Sequence, residues 1–255
     1  MLSLALLVGI AFLVLRSSSV FAITNIQVEP TEHISNEQIQ KLIAVEEGTT
    51  LLNMDESLIT EELQKDPWVA SVTYERQFPN TLRITITERK VTAVVALSSG
   101  PVAWYLGENN VWLEADQLNV PEGKTTATVA LEKATSEGEL LITDVPATVS
   151  PVAGTTATDA EIQAVMQYQS TFSSELTSQI VSYSASSVDA ISVTLTNGVQ
   201  VALGSPTQIA DKEKVILAML KQFPGELTYL NVRTPASPTY RRVSTGNVQS
   251  GSGVS

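Results

Sequence analysis

The sequence contains no cysteine. That removes disulfide scaffolds, thiolate metal sites and cysteine nucleophiles. His33 is the single histidine, so multi-histidine metal sites are excluded and a Ser-His-Asp arrangement has one residue to draw on. Basic side chains are scarce: 15 Lys and Arg stand against 27 Asp and Glu, a net charge of -12. Phosphate binding needs clustered cations, so nucleic acid is not an expected partner. The same balance disfavours docking on an anionic lipid surface. Aromatics make up 5% of the chain, while Thr, Ser, Val and Ala are plentiful, a bias that suits strands and turns. No P-loop, dinucleotide glycine fingerprint, HExxH or G-x-S-x-G is present, so no catalytic residue, cofactor site or metal site is expected.

What the chain does have begins at residue 1. Met1 to Leu15 (MLSLALLVGIAFLVL) is apolar apart from Ser3, and a run without a polar face does not belong at an aqueous surface. A spanning helix needs roughly 20 mostly apolar residues, a length reached by continuing past Arg16 and three serines to Val20 and Phe21. Two readings compete: a retained single-pass anchor over residues 1–20, or a signal peptide cleaved near Val20-Phe21-Ala22. Neither shows its expected flank, because no Lys or Arg precedes the run.

From Ile23 the pattern becomes that of a folded unit. Ile23 to Val28 reads as a strand ending at Pro30. Ser35 and Gln38 form a capping box ahead of a helix whose apolar side is Ile39, Leu42 and Ile43. Asp55 caps a second helix carrying Leu58, Ile59 and Leu63, which ends at Asp66-Pro67. Val72 and Tyr74 open a strand, Phe78-Pro79-Asn80-Thr81 turns the chain, and Leu82, Ile84 and Ile86 alternate with polar residues. The order β-α-α-β-β buries two helices on one face of a three-stranded sheet. Trp68 reads as a core or hinge plug, His33 as a loop residue, and Glu88-Arg89 as a pair with local or next-domain partners.

These stretches (FAITNIQVEP, SNEQIQKLIAV, EEGTTLLNMD and LQKDPWVASVTYERQFPNTLRITITERK) resemble a POTRA domain, and in detail that of the FtsQ/DivIB cell-division family. The resemblance continues downstream. Trp104-Tyr105-Leu106 and Val111-Trp112-Leu113 flank Gly107-Glu108-Asn109-Asn110 as a hairpin. Residues 115–158 read as loop plus one or two strands, a solvated low-complexity excursion. Thr158-Asp159-Ala160-Glu161 has capping-box form and leads a helix bearing Ile162, Val165, Met166 and Phe172. Ile191, Val193 and Leu195 alternate, Asn197-Gly198 turns, and Val199, Val201 and Leu203 alternate back. A helix from about Gln208 to Gln222 and the strand Leu227 to Arg233 follow. LTNGVQVALG, DKEKVILAMLKQF and TYLNVRTP resemble the C-terminal half of the FtsQ β-domain.

The expected fold is therefore α+β: an N-terminal transmembrane helix (1–20), a β-α-α-β-β POTRA domain (21–90), then a mixed and antiparallel β-sheet domain with flanking helices (91–235). Residues 115–158 form an irregular insertion in that domain, and 236–255 a disordered tail. The resemblance implies a non-enzymatic divisome scaffold at the cell membrane, its N-terminus cytoplasmic and its domains extracytoplasmic. It would bind FtsB/DivIC-like and FtsL-like partners, with the POTRA domain facing the septal peptidoglycan synthase complex. It further implies that the partner adds a strand to the last β-domain strand, here Thr228, Tyr229, Leu230, Asn231, Val232 and Arg233, with Arg233 meeting a partner carboxylate and Asn231 standing where the family carries an acid. The alternative is a POTRA-containing translocation or assembly factor that takes client strands by the same edge pairing.

Overall fold

The structure, a computed structural model, describes residues 14–43, 45–46 and 48–243. Most of the expected transmembrane helix, residues 1–13, lies outside the described residues, as does 244–255 of the expected tail. Among the described residues no helix is long and apolar enough to cross a membrane. The chain parts into two compact units, Met1–Lys90 and Val91–Ser255.

The first unit runs β1 (Asn25–Val28), α1 (Asn36–Leu42), α2 (Glu56–Leu63), β2 (Val69–Gln77) and β3 (Thr81–Glu88). Both helix starts follow from their caps. The Ser35 hydroxyl accepts from the Gln38 amide while the Gln38 side chain accepts from the Ser35 amide, and Asp55 accepts from Ser57 and Leu58. These contacts satisfy donors that have no partner within the helix. The sheet order is β1-β3-β2, with β1 parallel and β2 antiparallel to β3. Leu82, Ile84 and Ile86 point into a core with Ile39, Leu51, Ile59 and Leu63, each fully buried side chain stabilising by about 1.5–3 kcal/mol.

The second unit is built on one nine-stranded sheet. Its strands are β4 (Val91–Leu97), β5 (Val102–Gly107), β6 (Val111–Gln117), β7 (Leu140–Val145), β8 (Ile180–Ser184), β9 (Ser192–Leu195), β10 (Gln200–Ala202), β11 (Leu227–Asn231) and β12 (Thr239–Arg242). They lie in the order β12-β11-β10-β9-β8-β7-β4-β5-β6. Four helices join them: α3 (Thr126–Glu137), α4 (Ala160–Thr171), the short α5 (Ser174–Thr177) and α6 (Ile209–Gln222). β4 explains the layering. Its Ala93, Val95 and Leu97 enter the larger core with α4 and α6, while Val94 and Ala96 enter a smaller one with α3. A strand covered on both faces reads as an unbroken apolar run, which is the sequence VTAVVAL.

Two expectations are corrected here. Residues 115–158 are not an irregular insertion, because they contain the end of β6, all of α3 and β7. The helix hides behind Thr-rich composition, yet Thr125 caps it, Ala130 and Ala134 bury against the sheet, and Gly138 ends it at φ 76°, a left-handed stop that glycine takes without strain. At the start of α4 the capping box does not form, since Asp159 is the N-cap but makes no side-chain cap hydrogen bond.

Candidate partner-binding site

The strand expected to present a free edge does not have one. β11 pairs in parallel with β10 on one side and antiparallel with β12 on the other. Val232 extends the first pairing by donating to the Ala202 carbonyl at 2.9 Å. Leu227, Leu230 and Val232 are core residues, Tyr229 and Asn231 are half-buried, and Thr228 and Arg233 are exposed.

The cover comes from residues expected to be a disordered tail, and that expectation is corrected for 239–242. Thr-Tyr-Arg-Arg has strand-compatible side chains, and each finds a surface. Tyr240 stacks on Phe223 with centroids 5.2 Å apart, and the Arg242 guanidinium lies 4.9 Å from the same ring. Arg242 also pairs with Glu226 at 3.3 Å, while Arg241 sits 5.2 Å over Tyr229. Composition misses this because the flanking Ser, Gly and Thr dilute a four-residue signal.

The sheet's free margin is therefore the outer side of β12, which no strand among the described residues pairs. Val243 donates to the Glu226 carbonyl at 2.7 Å, which turns residues 239, 241 and 243 inward by strand alternation. The main-chain groups of Tyr240 and Arg242 then face out. The opposite margin, β6, is treated differently. Trp112 donates to Thr155 O at 2.9 Å, Gly154 donates to Trp112 O at 2.8 Å, and Val111 bridges Thr156, so a loop covers its first half. Its second half carries Glu114 and Asp116. Cover and charge are both devices that close a sheet edge to strange strands. The β12 margin instead carries Arg241 and Arg242, with Arg233 at the end of β11, on a chain of net charge -12. Among the described residues neither Arg233 nor Arg241 pairs with a carboxylate.

Arg233 has an unusual support. Its stem lies against Gly204, which sits at φ 70°, and a Cβ on that glycine would come within 3.0 Å of the Arg233 Cγ. The loop behind Gly204 is fixed by two buried side chains. Tyr168 donates its hydroxyl to Ser205 O at 2.7 Å, and Lys212 Nζ donates to Ser205 O at 2.6 Å and to the Tyr168 hydroxyl oxygen at 2.9 Å. Lys212 is 1% exposed. Burial lowers its pKa and raises that of Tyr168, because both shifts favour the neutral form. Reading the sequence missed Lys212, although the signal was present: it lies three residues after Ile209 and four before Ile216, on the apolar stripe of α6.

The residues singled out in the first unit also meet. The His33 ring stacks on Trp68 at 3.7 Å and 6°, and its Nδ1 lies 2.8 Å from a Glu88 carboxylate oxygen. The other oxygen accepts from the His33 and Ile34 amides at 2.8 and 3.2 Å. Desolvation pushes the Glu88 carboxyl up, but hydrogen bonds from the His33 ring and amide and from Thr31 outweigh it, so its pKa is lowered. Arg89 donates to the Pro67 and Val69 carbonyls at 3.1 and 3.2 Å. His33 is thus part of a clasp around Trp68 and more than a loop residue.

Comparison with known proteins agrees with this architecture. Residues 21–89 match the family described as POTRA domain, FtsQ-type, and residues 128–233 match cell division protein FtsQ/DivIB, C-terminal. The two matches cover more than half of the chain, in the order of its two units. The chain belongs to the FtsQ/DivIB family.

Similar curated proteins are each named cell division protein FtsQ. That of Mycobacterium leprae (strain Br4923) is 29% identical over 231 residues, 90% of this chain and 58% of the relative. That of Geobacter sp. (strain M21) is 34% identical over 100 residues, 38% and 35% respectively. That of Geotalea daltonii is 29% identical over 133 residues, 50% and 47%. The chain therefore spans between about a third and three fifths of the length of these relatives.

Proposed function

We propose that this chain is a non-enzymatic scaffold of the bacterial division machinery that captures a partner strand on the outer side of β12. The observation that carries the reading is the margin itself: an unpaired strand with outward main-chain groups at Tyr240 and Arg242 and a flank of arginines. Main-chain pairing supplies affinity in strand addition, and flanking charge supplies selectivity and association rate. A partner suited to it presents an extended segment with carboxylates. Family membership points to FtsB/DivIC-like and FtsL-like division proteins, and through them to control of septal peptidoglycan synthesis. The apolar run Met1–Leu15 serves as the retained membrane anchor, N-terminus in the cytoplasm, with both units outside. β11, enclosed on both sides, contributes Arg233 at the rim, where Gly204 and the Tyr168–Lys212 pair hold its stem.

The test is capture of a purified FtsB/DivIC-like extracytoplasmic segment by the full chain in lipid nanodiscs. Replacing Arg241 and Arg242 by Glu should abolish capture and remove its salt dependence, and Arg233→Glu should weaken it. The β11–β12 pairing, followed by amide exchange at Val243, should persist in all variants. Undiminished capture by the doubly reversed variant with β12 still paired would refute the site.

A further inference from the structure

One end of the first unit departs from the chemistry of the rest of the chain. Three segments meet there. Thr50 donates its hydroxyl to the Arg16 carbonyl at 2.7 Å, Leu51 donates to Phe21 O at 2.9 Å, and Ile23 donates to Thr49 O at 3.0 Å. From the β2–β3 turn, Asn80 O accepts from Thr24 at 3.1 Å, and the Asn80 amide donates to the Thr24 hydroxyl at 2.7 Å. Phe78 meets Phe21 edge to face with centroids 5.7 Å apart. The stretch after the apolar run is therefore stitched onto the domain and held beside the turn.

Apolar side chains are left outside by this stitching. Phe78 is 58% exposed, Val20 61%, Val14 65% and Leu15 48%. Charge is missing from the same place. The chain has 27 acidic residues, yet segments 14–28, 48–54 and 77–82 contain none, and their one charged residue is Arg16. The overall net charge, which speaks against a lipid surface, is thus an average that this end does not share. An exposed aromatic tip free of carboxylates, with one arginine, suits the headgroup boundary of a bilayer, where apolar groups bury and a cation meets phosphate. The occupant follows from continuity: Val14 and Leu15 are the last residues of the apolar run Met1–Leu15, so a segment suited to hydrocarbon leads directly into this surface.

We infer that the end of the first unit formed by Val14, Leu15, Val20, Phe21 and Phe78 is a membrane-contact surface resting in the interfacial layer of a lipid bilayer. The inference rests on the anchor reading proposed above. It makes the anchor and the domain one mechanical piece at the membrane, because the carbonyl of Arg16 is held by a side chain that is itself 1% exposed.

The absence of native cysteine allows a clean test. Single cysteines replacing Phe78, Val20, Lys65 or Val8 in the full chain are labelled with an environment-sensitive dye. Each protein is reconstituted in vesicles of three parts phosphatidylcholine to one part phosphatidylglycerol, with nitroxide lipids as quenchers. Lys65 is the control, since it precedes β2 and so lies roughly 25 Å from the turn at the strand's other end. Labels at 78 and 20 should be quenched at least about twofold more than the label at 65, at a depth of roughly 5–10 Å. If Val8 is quenched but 78 and 20 match 65, the anchor stands and the membrane contact is overturned. If Val8 also escapes quenching, the anchor reading falls and takes the inference with it. Labels at 78 and 20 shielded from an aqueous quencher yet untouched by nitroxide lipids would mean a protein covers this end, which also overturns the proposal.

Discussion

Replacing Glu88 by Ala removes every acceptor of the clasp around Trp68 and leaves the strand that carries it intact. Three contacts are lost: two backbone donors at 2.8 and 3.2 Å and the His33 ring nitrogen at 2.8 Å. A hydrogen bond to a charged group contributes about 1.5–3 kcal/mol. Glu88 and His33 side chains are 16% and 35% exposed, so water replaces part of what is lost, and the total falls to about 2 kcal/mol rather than the sum. That corresponds to about a 30-fold loss of protection, readable by hydrogen exchange at the Ile34 amide. The pH dependence has a definite sign. Because the folded-state pKa of Glu88 is lowered, its contribution is complete above the ordinary glutamate value of about 4.3 and disappears as pH falls through the lower folded value. The variant should lack that acid-side slope. Unchanged Ile34 protection, or stability curves for variant and parent that run parallel into acid, would refute the account of the clasp.

Lys212→Met should leave stability at neutral pH unchanged or higher, because it removes a buried cation while Tyr168 keeps its bond to Ser205. Lys212→Ala leaves a void and should cost about 2–4 kcal/mol. The parent should gain stability as pH rises towards 10.5, since the lowered folded pKa means the unfolded chain binds more protons there; the Met variant should not. Denaturant titrations separate these outcomes, and equal damage from Met and Ala would contradict them. Tyr240→Ala removes the Phe223 stack, worth about 1 kcal/mol. It should speed tryptic cleavage at Arg241 and Arg242, followed by mass spectrometry, and an unchanged cleavage rate would show that the stack does not hold β12.

Much of the fold could be read from periodicity. Leu82, Ile84 and Ile86 alternate because one side of β3 is buried, Asn197-Gly198 turns a hairpin because Gly198 takes φ 81°, and Ser35 announces α1 through its cap. Failures occurred where local composition and tertiary contact disagree. α3 buries two alanines rather than a leucine stripe, so its apolar face is faint. β12 owes its existence to Phe223 and Tyr229, distant rings that no window around residue 240 contains. Lys212 looks like a surface lysine until its acceptors, the Tyr168 hydroxyl and the Ser205 carbonyl, are brought beside it. The partner strand was placed one position too far inside the sheet for the same reason: an edge is a property of what pairs beyond it, and sequence order does not reveal that.

The strand order of the second unit sets a lever and a rotation. The chain enters at β4 and ends on β12, six places along the sheet. With roughly 4.8 Å between neighbours, the outer margin lies roughly 29 Å from the strand that begins the unit. Each step also turns the strand direction by roughly 20–25°, so the twist accumulated across six steps exceeds a right angle. A segment added along β12 therefore runs crosswise to β4. Its bearing, as well as its distance, is fixed by how many strands intervene, so inserting or deleting one strand between β4 and β12 would redirect whatever is bound.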